Sequence, residues 1–426
     1  MDHSEAKNLR VEVLSTGDEV LLGDIVDTNS SFICEALRSL GLCAQRISAV
    51  GDDGDQIARI LKSIASRSDG CLVTGGLGPT QDDVTARACA AALGETLEPN
   101  EAALASMAVY FKRRGYPMTP ENEKQALLPS SARILENSWG TAPGFCVTLE
   151  GCDFYFMPGV PSEMKPMMER LVVPKLQEQL GLVSDIPIAR FTVFGLHESR
   201  VGALLKGFDE KFPGIRLGFR ADFPTIEVKL VALNNDDLTP ARAWVAEQLG
   251  SKVVSTQGRS LAAEVGHLLS LRGESLAVAE SCTGGLIAHW LTDVPGSSDY
   301  FLFSGVTYAN EAKEGVLGVK HQTLVENGAV HESTALEMAR GTRKIAGAHW
   351  GISTTGIAGP SGGSEEKPVG TVCIGISGPG EDDGAKRYTF SLGDRHRHKL
   401  IFAAMALEVL RRRLVTDSVG GERDGL

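Results

Sequence analysis

Apolar and polar positions alternate along this chain in two rhythms. Near the start "VEVLST" reads as a buried strand, followed by a Gly/Asp-rich loop. In the next stretch, "TNSSFICEALRSLGL", Asn29 or Ser30 is placed to cap a helix that buries Phe32, Ile33, Leu37 and Leu40. "DQIARILKSIASR" then repeats apolar residues at 57, 60, 61 and 64, the spacing of one helix face, before "CLVTGG" forms a strand that runs into another glycine loop. Strands alternating with helices predict a parallel sheet covered on both faces. In such a sheet the loops at the carboxyl ends of strands gather into one crevice, so "TGDEVLLGDIVDTN" and "TGGLGPTQDDVT" are expected to be neighbours.

The pattern changes around residues 170 to 255, where the strand-like "IARFTVFG" and "TIEVKLVAL" flank the helix-like "HESRVGALLKGF". This predicts a smaller α+β module. From about 258 a capped helix, "SLAAEVGHLLSLRG", opens a second α/β unit that closes with "HRHKLIFAAMALEVLRRRL". At about 150 residues per domain, 426 residues fit this division better than one core.

Composition narrows the function. The chain is 42% hydrophobic and 23% charged, as expected of a globular chain with a sizeable core. Its formal charge of −12 argues against general polyanion binding, and the runs Lys112-Arg113-Arg114 and Arg411-Arg412-Arg413 read as solvated helix faces. Eight cysteines without a C-x-x-C pair fit reduced thiols in a cytosol better than a zinc ribbon or a disulfide framework. With a polar "MDHSEAKN" start and no apolar stretch near the ~20 residues that cross a bilayer, a cytoplasmic protein with no membrane partner is expected.

Two loop clusters carry chemistry. "GGLGPTQDD" offers backbone N–H groups that approach an anion, with Asp82 and Asp83 just behind. Carboxylates repel phosphate, so a bridging cation of the Mg²⁺ type would reconcile them, with Glu19, Asp24 and Asp27 of the companion loop completing an oxygen shell. The plainer alternative is that Asp82 and Asp83 cap a helix.

In the last unit "ESLAVAE" reads as a strand and "LIAHWLTDV" as a helix, which makes "SCTGG" a strand-to-helix turn on which a ligand rests against backbone. Three nucleophiles stand side by side there: Ser281, Cys282 and Thr283. Cys282 is intrinsically the strongest, but a free cysteine is also a common buried apolar residue, so chemistry alone does not choose. "FSGVTYANEAK" brings Tyr308 and Lys313 to the same edge. "GISTTGIAGPSGGSEEKPVGTVCIGI" adds Thr354, Thr355 and Lys367, and "SLGDRHRHK" adds Arg395, whose guanidinium suits a phosphate. His396 and His398 form an H-x-H pair that, beside Arg395 and Arg397, reads as a solvated polar turn rather than a metal site.

"STGDEVLLGDIVDTN", "TGGLGPTQDDVT", "NEKQALLP" and "FMPGVPSEM" resemble the molybdopterin-binding-like domain at the amino end of the CinA family, and "AESCTGG", "TYANEAK", "GIAGPSGGSEEKPVGTV" and "GDR" resemble that family's carboxyl-terminal nicotinamide mononucleotide amidohydrolase domain. The implied architecture is α/β. Two three-layer α/β/α domains, at residues 8–170 and 258–415, are joined by a small α+β module similar to a KH domain at 171–255. No G-x-x-G loop stands at the expected turn, "FGLHESRVG", which together with the acidic charge argues against RNA.

By this resemblance Ser281 is the nucleophile, assisted by Tyr308 and Lys313, with Thr355 in the pocket. Thr283, Gly284, Gly285, Gly359, Lys367 and Arg395 would contact substrate, Arg395 its phosphate. The amino-terminal domain implies ADP-ribose pyrophosphate cleavage dependent on a divalent metal and potassium. Gly75, Gly76, Gly78 and Thr80 would lie near phosphate, and Asp82, Asp83 and Glu19 at the metal. The deamidase step needs no cofactor, the partners are small nucleotides, and a homodimer is implied. The rival reading is a pterin- or nucleotide-binding protein with a vestigial amino-terminal site.

Overall fold

A computed structural model describes residues 9–180, 187–232, 237–380 and 382–419, and divides between residues 186 and 187 into two compact units. In the first unit a six-stranded sheet runs in the order Ala44–Val50, Val11–Thr16, Gly70–Thr74, Cys152–Met157, Gly144–Leu149, Arg133–Leu135. The first four strands are parallel and the last two pair antiparallel. Successive side chains of a strand feed opposite faces. Val11 and Val13 join Ile33, Leu37 and Met164 in one core, whereas Leu14 joins Ile57, Leu61 and Ala88 in the other. The result is three layers.

Two boundaries differ from the sequence reading. Residues 173–180, assigned to the middle module, form the helix Val173–Leu180, which sends Leu176 into the core of Val11 and Val13, so the first domain extends past 170. The helix Thr28–Ser39 is capped not by Asn29 or Ser30 but by Asp27, which accepts from the Ser30 amide at 2.9 Å and its hydroxyl at 2.6 Å. Asn29 instead turns inward, donating to Thr74 Oγ1 and Gly159 O.

The second unit begins with an antiparallel sheet in the order Ile215–Asp222, Thr225–Ala232, Ile188–Phe194, Val253–Ser255. Helices Glu198–Leu204 and Thr239–Leu249 cover it with Val201, Ala241 and Val245. Leu205-Lys206-Gly207 links Glu198–Leu204 to the short helix Phe208–Lys211 and is not a G-x-x-G loop either.

The remainder forms a five-stranded sheet in the order Phe301–Val306, Leu276–Glu280, Trp350–Gly356, Thr371–Ser377, Gly384–Thr389, with the first three strands parallel and the last two antiparallel. Val278 points to helices Leu261–Arg272 and Arg395–Val419, and Ala279 to the side of Leu317 and Met338. Among the described residues no helix is long and apolar enough to cross a membrane.

Candidate active site

The turn after strand Leu276–Glu280 is built around a buried carboxylate. Glu280 accepts from the backbone amides of Gly285 at 2.9 Å, Ile287 at 3.2 Å and Ala288 at 2.9 Å, satisfying the first N–H groups of helix Leu286–Thr292. Gly284 and Gly285 take φ of +61° and +90°, which side chains resist, so the chain reverses tightly enough to bring those amides back. Ser281 is fixed at the start of this turn by its own amide, which donates to Thr354 O at 3.0 Å.

The ammonium of Lys313, 1% exposed, donates to the Ser281 hydroxyl at 3.1 Å and to the carbonyls of Thr307 at 2.8 Å and Tyr308 at 2.9 Å. No carboxylate pairs with it among the described residues, and burial holds its pKa below the ordinary lysine value. A buried amine aimed at a hydroxyl is the arrangement of a general base and its nucleophile. Cys282 lies 5% exposed in the core with Leu276 and Ile287, and burial pushes its thiol up to about 12, so it packs rather than attacks. The backbone N–H groups of Cys282 and Thr283 have no backbone acceptor among the described residues, and of the two residues only Cys282 lines the adjoining cavity.

A cavity of about 200 Å³ opens at this point, lined by Ser281, Cys282, Tyr308, Lys313, Thr355 and Arg395 together with Ala329, Val330, Gly356 and Ala358. Arg395 spans its rim, donating to the Tyr308 hydroxyl at 3.1 Å and to Gly359 O at 2.6 Å. Lys399, one helical turn further on, brings its ammonium to within 3.4 Å of where a Gly284 side chain would begin. The sequence reading passed over it; its i, i+4 spacing from Arg395 is the signal.

Two of the expected side-chain contacts fall elsewhere. The Thr283 side chain is fully buried and shares a 2.7 Å hydrogen bond with Thr354 Oγ1, so it braces the turn and does not face a substrate. Lys367 does not line the cavity; its ammonium donates to Asn327 O at 3.0 Å and ties down the glycine-rich loop. Thr355 borders the cavity, but its hydroxyl donates to Ala329 O at 2.7 Å. His398 is not solvated: it is 2% exposed.

In the first unit Gly75 and Gly76 are required by crowding, since a Cβ on either would stand 2.1 Å from an oxygen, of Thr16 and of Thr85 respectively. Asp83 closes the loop, its carboxylate accepting from the Thr80 amide at 2.9 Å and hydroxyl at 2.5 Å, while Lys124 donates to the Thr80 and Asp83 carbonyls. Neither Asp82 nor Asp83 caps the helix Thr85–Leu93. A cavity of about 210 Å³ beside the loop is lined by Gly76, Gly78, Asp83, Arg87, Lys124 and Gln125, with apolar walls from Leu97, Leu127 and Leu128.

The acidic corner lies next to Asp52, which the sequence reading missed. Asp52 accepts from the Asp18 amide at 3.1 Å, and burial together with the charges of Asp18, Glu19 and Asp82 raises its pKa. Among the described residues, however, no three carboxylate, histidine or cysteine groups form a ready metal cage. Glu19, Asp82 and Asp83 do not share one shell: Asp83 is engaged by Thr80, and Asp27 by its helix.

Comparison with known proteins follows the same division. Residues 258–414 match the CinA C-terminal domain, and residues 12–178 match a probable molybdopterin binding domain. A CinA-like protein of Desulforapulum autotrophicum is 50% identical over 96% of this chain and 99% of its own, and one of Desulfosudis oleivorans is 49% identical over 95% and 99%. Among solved structures, a competence/damage inducible protein from Agrobacterium tumefaciens is 39% identical, covering 36% of this chain and 93% of its own with a TM-score of 0.35.

Proposed function

This chain belongs to the CinA family, and from that premise we propose that its carboxyl-terminal domain is a nicotinamide mononucleotide amidohydrolase with Ser281 as nucleophile and Lys313 as its base. The observation that carries the reading is the buried 3.1 Å contact between these two side chains at the floor of the cavity. Neutral Lys313 takes the hydroxyl proton as Ser281 Oγ bonds to the carboxamide carbon, and the carbonyl π electrons move onto oxygen. The amide of Cys282, the turn residue after Ser281 that lines the cavity, suits that oxyanion.

Collapse of the intermediate breaks the C–N bond. The proton held by Lys313 passes to the nitrogen, and ammonia leaves an ester on Ser281. Water then attacks the ester, giving its proton to Lys313, and the second collapse returns that proton to Ser281 Oγ and frees the carboxylate. Arg395 and Lys399, beside the amino end of the helix Arg395–Val419, suit the substrate phosphate. The test is ammonia release from nicotinamide mononucleotide by purified protein; the absence of ammonia at any substrate concentration would remove the proposal.

For the amino-terminal domain we propose metal- and potassium-dependent cleavage of ADP-ribose. Glycine-loop amides and Arg87 suit a pyrophosphate, and the carboxylates around Asp52 suit a hydrated divalent ion, which keeps several waters of its own. When bound, the ion would be held by Asp82, Asp18, Glu19 and Asp52 in part through water, and would neutralise phosphate charge. Asp83 and Lys124 instead shape the loop.

A further inference from the structure

We infer that His398 is a positioning residue that sets the cavity wall beside Arg395, an inference that rests on the deamidase reading. The wall is the start of the loop after strand Trp350–Gly356, a stretch rich in glycine that has little conformational preference of its own. Two consecutive carbonyls of that loop are caught by two residues one turn apart on the final helix. His398 Nδ1 lies 2.9 Å from Ala358 O, and Arg395 Nη1 lies 2.6 Å from Gly359 O.

The imidazole is itself locked. Its Nε2 lies 2.9 Å from Phe390 O and 3.3 Å from the Leu392 amide, and its ring stacks on Phe402 at 5.7 Å. Gly370 makes room for it: a Cβ there would come within 2.9 Å of Nε2 and 1.9 Å of Phe390 O. Ala358 lines the cavity, so the Nδ1 bond connects a buried, immobile ring to the surface a substrate would touch.

Losing the Nδ1 bond frees Ala358 O and leaves the Arg395 bond to Gly359 O as the tie between this part of the loop and the final helix, so the guanidinium then serves the wall at the expense of an incoming phosphate. Ser281 and Lys313 stand on other elements and keep their contact. The expected signature is therefore weaker substrate binding with intact chemistry.

Two substitutions in the full chain separate the ring nitrogens. The amide nitrogen of His398→Asn takes the place of Nδ1, and that of His398→Gln the place of Nε2. Ammonia release from nicotinamide mononucleotide should show KM near wild type for His398→Asn and raised about tenfold for His398→Gln, the loss expected of one buried hydrogen bond, with kcat within about twofold in both. Equal effects of the two variants, an unchanged KM in both, or a fall in kcat at constant KM would overturn the inference. If melting curves show either variant unfolded, His398→Phe keeps the stack on Phe402 and carries the test. The same rise in KM is then expected, and an unchanged KM overturns the idea. A wild-type protein that releases no ammonia takes down the functional reading and this inference together, whereas wild-type turnover with insensitive His398 variants takes down this inference alone.

Discussion

Lys313 and Ser281 meet at 3.1 Å in a buried corner where two backbone carbonyls, those of Thr307 and Tyr308, occupy the rest of the lysine nitrogen's donor capacity. A neutral amine offers two N–H donors and one lone pair. Once the amine is deprotonated, with its two donors on the carbonyls, its lone pair is left for the hydroxyl. On the proposed reading this orients a base without the histidine and carboxylate of the familiar serine hydrolase arrangement.

The first prediction is a pH profile. Burial lowers the folded pKa of Lys313 below 10.5, so the fraction of active, neutral base rises at a lower pH than for an ordinary lysine. The rate of ammonia release should climb with pH through the folded value and level off before 10.5. Between those two values the unfolded chain binds the proton more readily, so this group's contribution to stability also rises with pH across the same window. Lys313→Arg, which stays charged, should lose about 10³ or more in kcat at every pH. A wild-type limb still rising in step with an ordinary lysine would remove Lys313 as the base.

A second prediction separates the neighbours on the turn. Ser281→Ala should lose several orders of magnitude in ammonia release, leaving what the pocket and the amides supply. Cys282→Ala should change turnover by less than about twofold and cost about 1 kcal/mol of stability through the small cavity it leaves. With its thiol pushed up to about 12, Cys282 should also resist alkylation by iodoacetamide at neutral pH in the folded protein. Rapid inactivation by that reagent, traced to Cys282 by mass spectrometry, would reverse the assignment.

What could be read from the sequence was what is local. A strand, a small-residue turn with two glycines and a helix lie within residues 276–292, so the "SCTGG" turn was legible, and so was the gathering of Tyr308, Thr355 and Arg395 at one sheet edge. The role of Lys313 was less so, because its partners are backbone carbonyls that carry no sequence signal and its burial appears only when helix Asn310–Leu317 docks. Glu280 looked like the end of a strand, yet it clamps the turn. His398 read as polar and therefore wet; the space left by Gly370 draws it inward. The change of pattern near residue 170 could not show that Val173–Leu180 still covers the first sheet, because that contact is made by Leu176 across the fold.

Thr283 supplies a third prediction, about stability and not binding. Its hydroxyl and that of Thr354 are both fully buried and share one 2.7 Å bond. Thr283→Val strands the Thr354 hydroxyl and should cost about 1–3 kcal/mol by denaturant melts, with KM for nicotinamide mononucleotide unchanged. Thr283→Val combined with Thr354→Val removes both partners and should recover part of that loss, because no unpaired group remains. A single variant that melts like wild type but binds substrate poorly would return Thr283 to the substrate-contact role the family resemblance implies.

The last prediction concerns the acidic corner of the amino-terminal unit. Burial and the neighbouring carboxylates raise the folded pKa of Asp52 above 3.8, so its charged form is penalised in the folded state. That penalty is full above the folded value and disappears below 3.8, where both states are protonated. In metal-free buffer Asp52→Asn should therefore melt higher than wild type at pH 7, with the gain fading as pH falls toward 3.8. Added Mg²⁺ favours the charged form and should raise the melting temperature of the wild type at pH 7, but have a smaller effect on Asp82→Asn, which lacks one of the converging charges. Asp82→Ala should also lose metal-dependent ADP-ribose cleavage and keep ammonia release, because Ser281 belongs to the other compact unit. Asp83→Ala should lose ADP-ribose cleavage for a different reason, the unfastened Thr80 loop, and Asp83→Asn, which retains an acceptor for Thr80, should recover part of it. Calorimetric scans with and without Mg²⁺ across this pH range decide the matter: if Mg²⁺ shifts neither wild type nor Asp82→Asn, the corner holds no metal and its carboxylates are a solvated acidic surface.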